Sequence, residues 1–292
     1  MYNQIAANKR KTWILIILFS VVIVGLGWLF GKQTGDASSG IVLATMIATV
    51  MALTSYFAGD KVALASSGAK EIQKEQAPEL WNIVENLAIT NGMPMPRIYV
   101  IQDAAPNAFA TGRNPKHASV AVTTGLLQMM ERNELEGVLA HELSHVKNYD
   151  ILVMTIVIVL VGVVTLLADW LLRSSIFGRR DDRENNQATI VLFVVGLVLS
   201  ILSPLFAELI KLAISRQREY LADASGALMT RYPEGLASAL EKIASYKGRM
   251  KKANHATAHL FIANPFGGAA KTLFSTHPPV EKRIARLRQM GV

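Results

Sequence analysis

The sequence predicts an α-helical integral membrane protein with four transmembrane helices and a mainly helical α+β domain containing a small sheet. Three observations predict it. Of the 292 residues 51% are hydrophobic and the mean hydropathy is +0.30, which is high for a soluble enzyme. Four apolar runs, 12–30, 41–57, 151–172 and 190–211, approach or reach the length needed to cross a bilayer. The stretches between and after them carry helical and strand periodicities of the kind that build a packed domain.

In chain order, residues 1–11 are polar and end in Lys9-Arg10-Lys11. Thr12 to Phe30 is nearly all apolar, with Trp13 and Trp28 near its ends. A basic start before an apolar run also fits a signal peptide, but the run is long and no small-residue cleavage site follows, so it reads as a first span. A Gly/Ser-rich loop, 31–40, leads to a slightly short second span, Ile41 to Phe57, and closes an N-terminal helix pair over 1–58. Residues 59–150 are soluble in character. Pro78 to Ile89 is an amphipathic helix stopped by Asn91-Gly92. Segments 97–101, 107–112 and 118–123 read as strands, with Asn114-Pro115 turning between the last two. Asn133 and Glu136 give a capping-box pattern, which predicts a helix start, and Leu135, Val138, Leu139, Leu143 and Val146 form its apolar stripe.

Residues 151–211 read as a transmembrane hairpin. Its first run holds only Asp169 as a charge, and its second is interrupted by Pro204 and Glu208. A buried helical hairpin in a soluble domain is the competing reading, and length favours membrane. Residues 212–292 read as helices and loops that complete the domain begun at 59. Three of the four tryptophans, Trp13, Trp28 and Trp170, lie near span ends, as interfacial anchors do.

The net charge is +8 and the pI about 9.7. With four spans, 25 of the 30 lysines and arginines fall on one side and 5 on the other. The positive-inside rule then places the soluble domain and both termini in the cytoplasm of a multi-pass protein. The cluster Arg173, Arg179, Arg180 and Arg183 is a counter-signal, partly offset by Asp181, Asp182 and Glu184. Anionic lipid accounts for the basic balance, and no basic-aromatic pattern of nucleic-acid binding is present. The absence of cysteine excludes disulfides and thiolate metal ligands.

The chemistry concentrates at His141-Glu142-Leu143-Ser144-His145. On a helix, histidines at i and i+4 project from one face and can share one ion. Zinc accepts two neutral imidazoles, and Glu142 between them can reach a water on the same metal. A catalytic zinc needs a third protein ligand. The other histidines (117, 255, 259, 277) and several acids are candidates. Glu219 is favoured by position: His145 lies six residues before the third run and Glu219 eight after the fourth, so straight helices lift them about 9 Å and 12 Å above the membrane. Asp223, one turn on, is placed to hydrogen-bond a ligand histidine. Pairing of Glu219 and Asp223 with Arg216 or Arg218 on an exposed face explains the same spacing equally well.

These residues resemble a known family. His141 to His145, followed after an apolar hairpin by Ser215-Arg216-Gln217-Arg218-Glu219-Tyr220-Leu221-Ala222-Asp223, is similar to the HtpX family of integral membrane zinc metalloproteases. Asn107-Ala108-Phe109-Ala110-Thr111-Gly112 and Thr276-His277-Pro278-Pro279 match further family motifs, and the likeness covers essentially the whole chain. The resemblance implies a zincin-like domain and one zinc ion per chain. Its ligands would be His141, His145 and Glu219, with Glu142 as general base. It also implies the bacterial inner membrane, a role in stress response and protein quality control, and misfolded or damaged membrane proteins as substrates.

Other residues have two readings each. The strand Asn107, Ala108, Phe109, Ala110 is a candidate substrate-binding edge, where backbone hydrogen bonds hold an extended peptide; the competing and less favoured reading is an ordinary strand with Phe109 in the core. His277, stiffened by two prolines, could donate to an oxyanion as a catalytic residue, or be structural. His255 and His259 read as a solvated face, as does the basic run Lys247, Arg249, Lys251 and Lys252. Two rival functions remain: a prenyl-protein endopeptidase, disfavoured by only four apolar runs, and a non-catalytic membrane protein with structural zinc, for which Glu142 would be superfluous. Unfolded or membrane-protein substrates and the lipid bilayer are the expected partners; oligomeric state is open.

Overall fold

The structure is a computed structural model that describes residues 2–157, 159–160, 216–252, 260–265 and 278–291. Two long helices, α1 (Tyr2–Thr34) and α2 (Ala37–Ser67), form an antiparallel hairpin. Gly35, at φ 91°, makes the turn, and Asp36 caps α2 by accepting from the Ser39 amide. Small residues let the helices meet backbone to backbone: a Cβ on Gly27 would stand 2.7 Å from the Gly40 carbonyl oxygen. Gly27 and Gly31 face Gly40 and Ala44, the small-residue contact of packed membrane helices. The outward faces are apolar and open, with Trp13 61%, Val21 62% and Val50 62% exposed. Only 22% and 17% of their most apolar windows are buried, whereas a core helix of a soluble protein would be mostly buried.

Both helices outrun the apolar runs read from sequence. α1 begins ten residues before Thr12, and α2 continues past Phe57 to Ser67. The extension of α2 has a tertiary cause: Ala63 and Leu64 pack on one face of the sheet, against Tyr99, Ile101, Phe109 and Ala121. Gly68, at φ 71°, ends the helix in a left-handed cap. Two helices long and apolar enough to cross a membrane are therefore present among the described residues, against the four expected. The third expected span is described only over its helical start, 150–157 and 159–160, and the fourth lies outside the described residues.

The sheet has four strands in the order β1-β2-β4-β3. They are β1 (Ala69–Glu71), β2 (Arg97–Ile101), β3 (Ala108–Gly112) and β4 (Ala118–Thr123). β2 and β4 run parallel, with Ile98 beside Val120; β3 is antiparallel to β4, with Ala110 beside Val120. β3 is an edge strand. The three-residue β1 was not foreseen, being too short to show alternation. The turn expected at Asn114-Pro115 is a short 3-10 helix, Pro115–His117, with the Asn114 side chain accepting from the His117 amide.

The second face of the sheet packs on helices α3 (Pro78–Thr90) and α5 (Arg132–Lys147), with the short α4 (Thr124–Met129) between β4 and α5. α5 is the centre of the domain. α6 (Arg216–Thr230) and α7 (Pro233–Ser245) lie along it, and α8 (Val280–Met290) packs on both. The α5 cap differs from the expected Asn133 and Glu136. Glu131 is the cap residue, and its N–H donates to Glu134 at 2.8 Å. Ser238 Oγ and Lys242 Nζ on α7 hold the same Glu134 carboxylate at 2.6 and 2.7 Å, so packing against α7 sets where the helix starts.

Candidate metal centre

α5 carries His141, Glu142 and His145 toward α6 and β3, and all three are buried because those elements close over them. Two glycines let α6 and α7 come close to α5. A Cβ on Gly226 of α6 would stand 3.0 Å from the His141 amide nitrogen, and one on Gly137 of α5 would stand 2.7 Å from the Leu236 nitrogen. This close approach brings Glu219, two turns before Gly226, over the histidines.

The result is a triangle of donors. His141 Nε2 and His145 Nε2 are 3.2 Å apart, and Glu219 carboxylate oxygens lie 3.8 and 3.5 Å from them. Ligands bound tetrahedrally to zinc at ~2.0–2.2 Å stand about 3.3–3.6 Å from one another. The three residues can therefore hold a single metal ion, and their donor set suits zinc. Each histidine is also held from behind. His141 Nδ1 is 3.0 Å from Asp223 Oδ1, and His145 Nδ1 is 3.1 Å from Asp150 Oδ2. With Nδ1–H donated to a carboxylate, the Nε2 lone pair of each ring faces the shared point.

The surrounding charges are paired through this shell. Arg283 of α8, fully buried, donates to both Asp223 oxygens at 2.9 and 2.7 Å and lies 3.7 Å from Glu219. Burial alone would raise the Asp223 carboxyl; Arg283 and His141 outweigh it and hold it at about 2. Burial, with help from Arg283, lowers His141 despite Asp223, which keeps that imidazole neutral. His145 goes the other way: burial acts to lower it, but Asp150, Glu219 and Glu142 outweigh burial and raise it to about 9. Burial and the Glu219 charge push Glu142 up to about 8. Its Oε2 accepts from the Ala110 amide at 2.9 Å, so the carboxylate is fixed against the outer edge of β3.

Three of the residues that build this site were not singled out in the sequence, Asp150, Asn8 and Arg283, and Arg218 was read there only as a surface partner of Glu219 or Asp223. Asp150 also accepts from Asn8 Nδ2 at 2.7 Å and from Arg218 Nη1 at 3.3 Å, which ties the start of α1 to a histidine of the centre. Arg283 had a readable signal. Val280, Ile284 and Leu287 form the apolar stripe of α8, and Arg283 sits on that stripe. Arg218 does face the centre, so the reading of Glu219 and Asp223 as an exposed surface face is wrong; both are buried. Phe109 is fully buried, edge-on to Phe261 at 5.1 Å, while Asn107, Ala108 and Ala110 meet the segment 262–263 and Glu142 along the outer edge. His277, His255 and His259 lie outside the described residues.

A family model described as peptidase family M48 matches residues 74–291. The chain belongs to peptidase family M48. Curated relatives match it over nearly the whole length. It is 51% identical to the protease HtpX homolog of Thermoanaerobacter pseudethanolicus, over 99% of this chain and 98% of that one. It is 49% identical to the protease HtpX homolog of Tropheryma whipplei strain Twist, over 100% and 99%. Among solved structures it is similar to Ste24p of S. mikatae, with a TM-score of 0.50 at 18% identity over 98% of this chain and 67% of that one; this is a likeness of fold. The M48 assignment makes the chain a metalloprotease, and the two open apolar helices make it a membrane protein.

Proposed function

We propose that this M48 peptidase is a zinc endopeptidase that cuts misfolded or damaged membrane proteins next to the bilayer, using His141, His145 and Glu219 as ligands and Glu142 as general base. The observation that carries the reading is the donor triangle with a buried carboxylate beside it. Bound zinc would supply a water with pKa near 7 and a Lewis acid for the scissile carbonyl.

The chain's own residues do the rest. Asp223 and Asp150 hold the imidazoles in the tautomer that presents Nε2. Arg283 neutralises Asp223 and shares the charge of Glu219, so a buried cluster of acids is tolerated. Glu142 takes the water proton and later gives it to the leaving amine. Its raised pKa suits a group that must hold a proton between those two steps, and a divalent charge at the ligands favours the ionised form at the start. Extended substrate would align along β3, whose outer backbone groups at Ala108 and Ala110 are engaged by Ile262 and Glu142 and not by another strand. His277 is a candidate oxyanion donor in the same scheme. The domain faces the cytoplasm of a bacterial inner membrane by the charge asymmetry, with the 151–172 and 190–211 runs completing four spans.

The test is zinc content and casein cleavage for wild type, Glu142→Gln and Glu219→Ala in detergent. Glu142→Gln should keep zinc and lose cleavage, and Glu219→Ala should lose both. Full zinc in Glu219→Ala, or full cleavage in Glu142→Gln, refutes the assignment.

A further inference from the structure

Where α1 and α2 meet the catalytic domain there is a cavity of about 280 Å³, away from the donor triangle. Its lining includes Lys9, Trp13, Tyr56, Arg113, Asn114 and Tyr149. Two cations and three aromatic rings around one space is an unusual lining for a packing defect. Neither Lys9 nor Arg113 has a carboxylate within ion-pair distance among the described residues; Lys9 Nζ lies 4.6 Å from the Tyr149 ring centroid, and Arg113 5.2 Å from that of Phe57. Asp150, next in sequence to Tyr149, is already engaged by His145, Asn8 and Arg218. Asn114 has its carbonyl taken by His117, which leaves its amide N–H groups as donors.

The level of the cavity is equally informative. Trp13, 61% exposed, and Tyr56 stand at the domain end of the apolar segments, and exposed Ile14, Ile17 and Phe57 open directly beside them. This is the headgroup level of a bilayer, where tryptophan and tyrosine collect. Tyr149 has φ 60°, a left-handed backbone that a bulky side chain seldom adopts, and it is this conformation that turns the chain from α5 into the next helix under Lys9. Strain of this kind clusters at ligand clamps and switch regions.

We propose that this cavity binds the phosphate of an anionic phospholipid headgroup, with Lys9 and Arg113 on the phosphate oxygens and the acyl chains lying along the exposed face of α1 beside Trp13. The inference rests on α1 and α2 spanning the membrane, and it is independent of the peptidase chemistry. Lys9 is adjacent to Asn8, which reaches Asp150 and through it His145, so an occupied headgroup site lies one residue from the shell of the metal centre.

The experiment is native mass spectrometry of the full-length zinc-loaded protein in detergent micelles containing equal phosphatidylglycerol and phosphatidylcholine. Wild type should retain phosphatidylglycerol in preference to phosphatidylcholine. The double variant Lys9→Gln/Arg113→Gln should lose that preference by roughly ten- to thirtyfold, since each cation at an anionic surface is worth about a factor of five. Arg113→Lys, which keeps the charge, should retain it, and Lys251→Gln/Lys252→Gln, which removes two exposed cations elsewhere, should behave as wild type. Unchanged retention in the Lys9/Arg113 variant overturns the proposal, as does an equal loss in the Lys251/Lys252 variant. Displacement of the lipid by excess inorganic phosphate at equal affinity assigns the site to a soluble anion and overturns the lipid assignment. If the protein stays dispersed without detergent, the membrane reading of α1 and α2 fails before any lipid is added.

Discussion

Replacing Asp150 by Asn removes one charge from behind His145, and the geometry sets two separate consequences. The Asp150 carboxylate stands 3.1 Å from His145 Nδ1, accepts from Asn8 at 2.7 Å and lies 3.3 Å from Arg218 Nη1. Losing the anion weakens the basicity and orientation of a ligand histidine, which for such outer partners costs about 10–100-fold in metal affinity. It also strands Arg218, 9% exposed, whose Nε and Nη2 have no hydrogen-bond partner and which has no other carboxylate among the described residues. Breaking a buried pair on one side costs about 3–5 kcal/mol of folding stability. The two effects are separable. Zinc affinity is measured by competition with a chelator, and stability by thermal melting of the same zinc-free samples in detergent. Asp150→Asn should lose both. Asp150→Asn/Arg218→Met, which removes the stranded cation, should regain melting temperature but not zinc affinity. Asn8→Ala, which leaves the charge in place, should weaken zinc by less than Asp150→Asn does. A folded Asp150→Asn protein that binds zinc within about threefold of wild type, well inside the 10–100-fold expected, would refute the positioning role.

Further outcomes follow from the same geometry. Glu142→Gln should lower turnover by about 10²–10⁴-fold with zinc content unchanged, read by casein cleavage and metal analysis. His145 is raised to about 9 in the metal-free protein, so below that pH its imidazole carries a proton that zinc must displace; apparent zinc affinity should climb with rising pH, by up to about tenfold per unit, and level off above about 9. The same titration on Asp150→Asn should level off at lower pH, because the carboxylate that raises His145 is gone. Ala110→Pro should abolish most cleavage while β3 stays paired, because the Ala110 N–H points away from β4 to Glu142; circular dichroism with peptide turnover checks both halves. Gly226→Val should drive α6 off α5 at His141 and displace Glu219, so zinc retention should fall more than helical content does.

The local elements were legible because their signals are local. Strands β2 and β4 were placed to the residue, β3 to within one, and α3 was placed by its periodicity and its Asn91-Gly92 stop. The start of α5 was misjudged by two residues because Glu134 is captured by Ser238 and Lys242, partners more than a hundred positions away. The ends of α1 and α2 were misjudged for a related reason. A hydropathy reading stops where the apolar run stops, whereas the helices continue into the domain and pack there.

The sequence by itself determined that His141 and His145 share a helix face with Glu142 between them in the chain, because a helix repeats about every 3.6 residues whatever surrounds it. It also determined two apolar helices long enough to span a membrane. Only the tertiary structure decided what stands around those residues. That Glu219 completes the triangle, that Asp223 holds the His141 imidazole, and that Arg283 crosses from the last helix to the centre all depend on α6 and α8 closing onto α5. Those contacts span tens to more than a hundred residues, and their geometry is set by close approaches such as Gly226 against His141, which no local periodicity encodes.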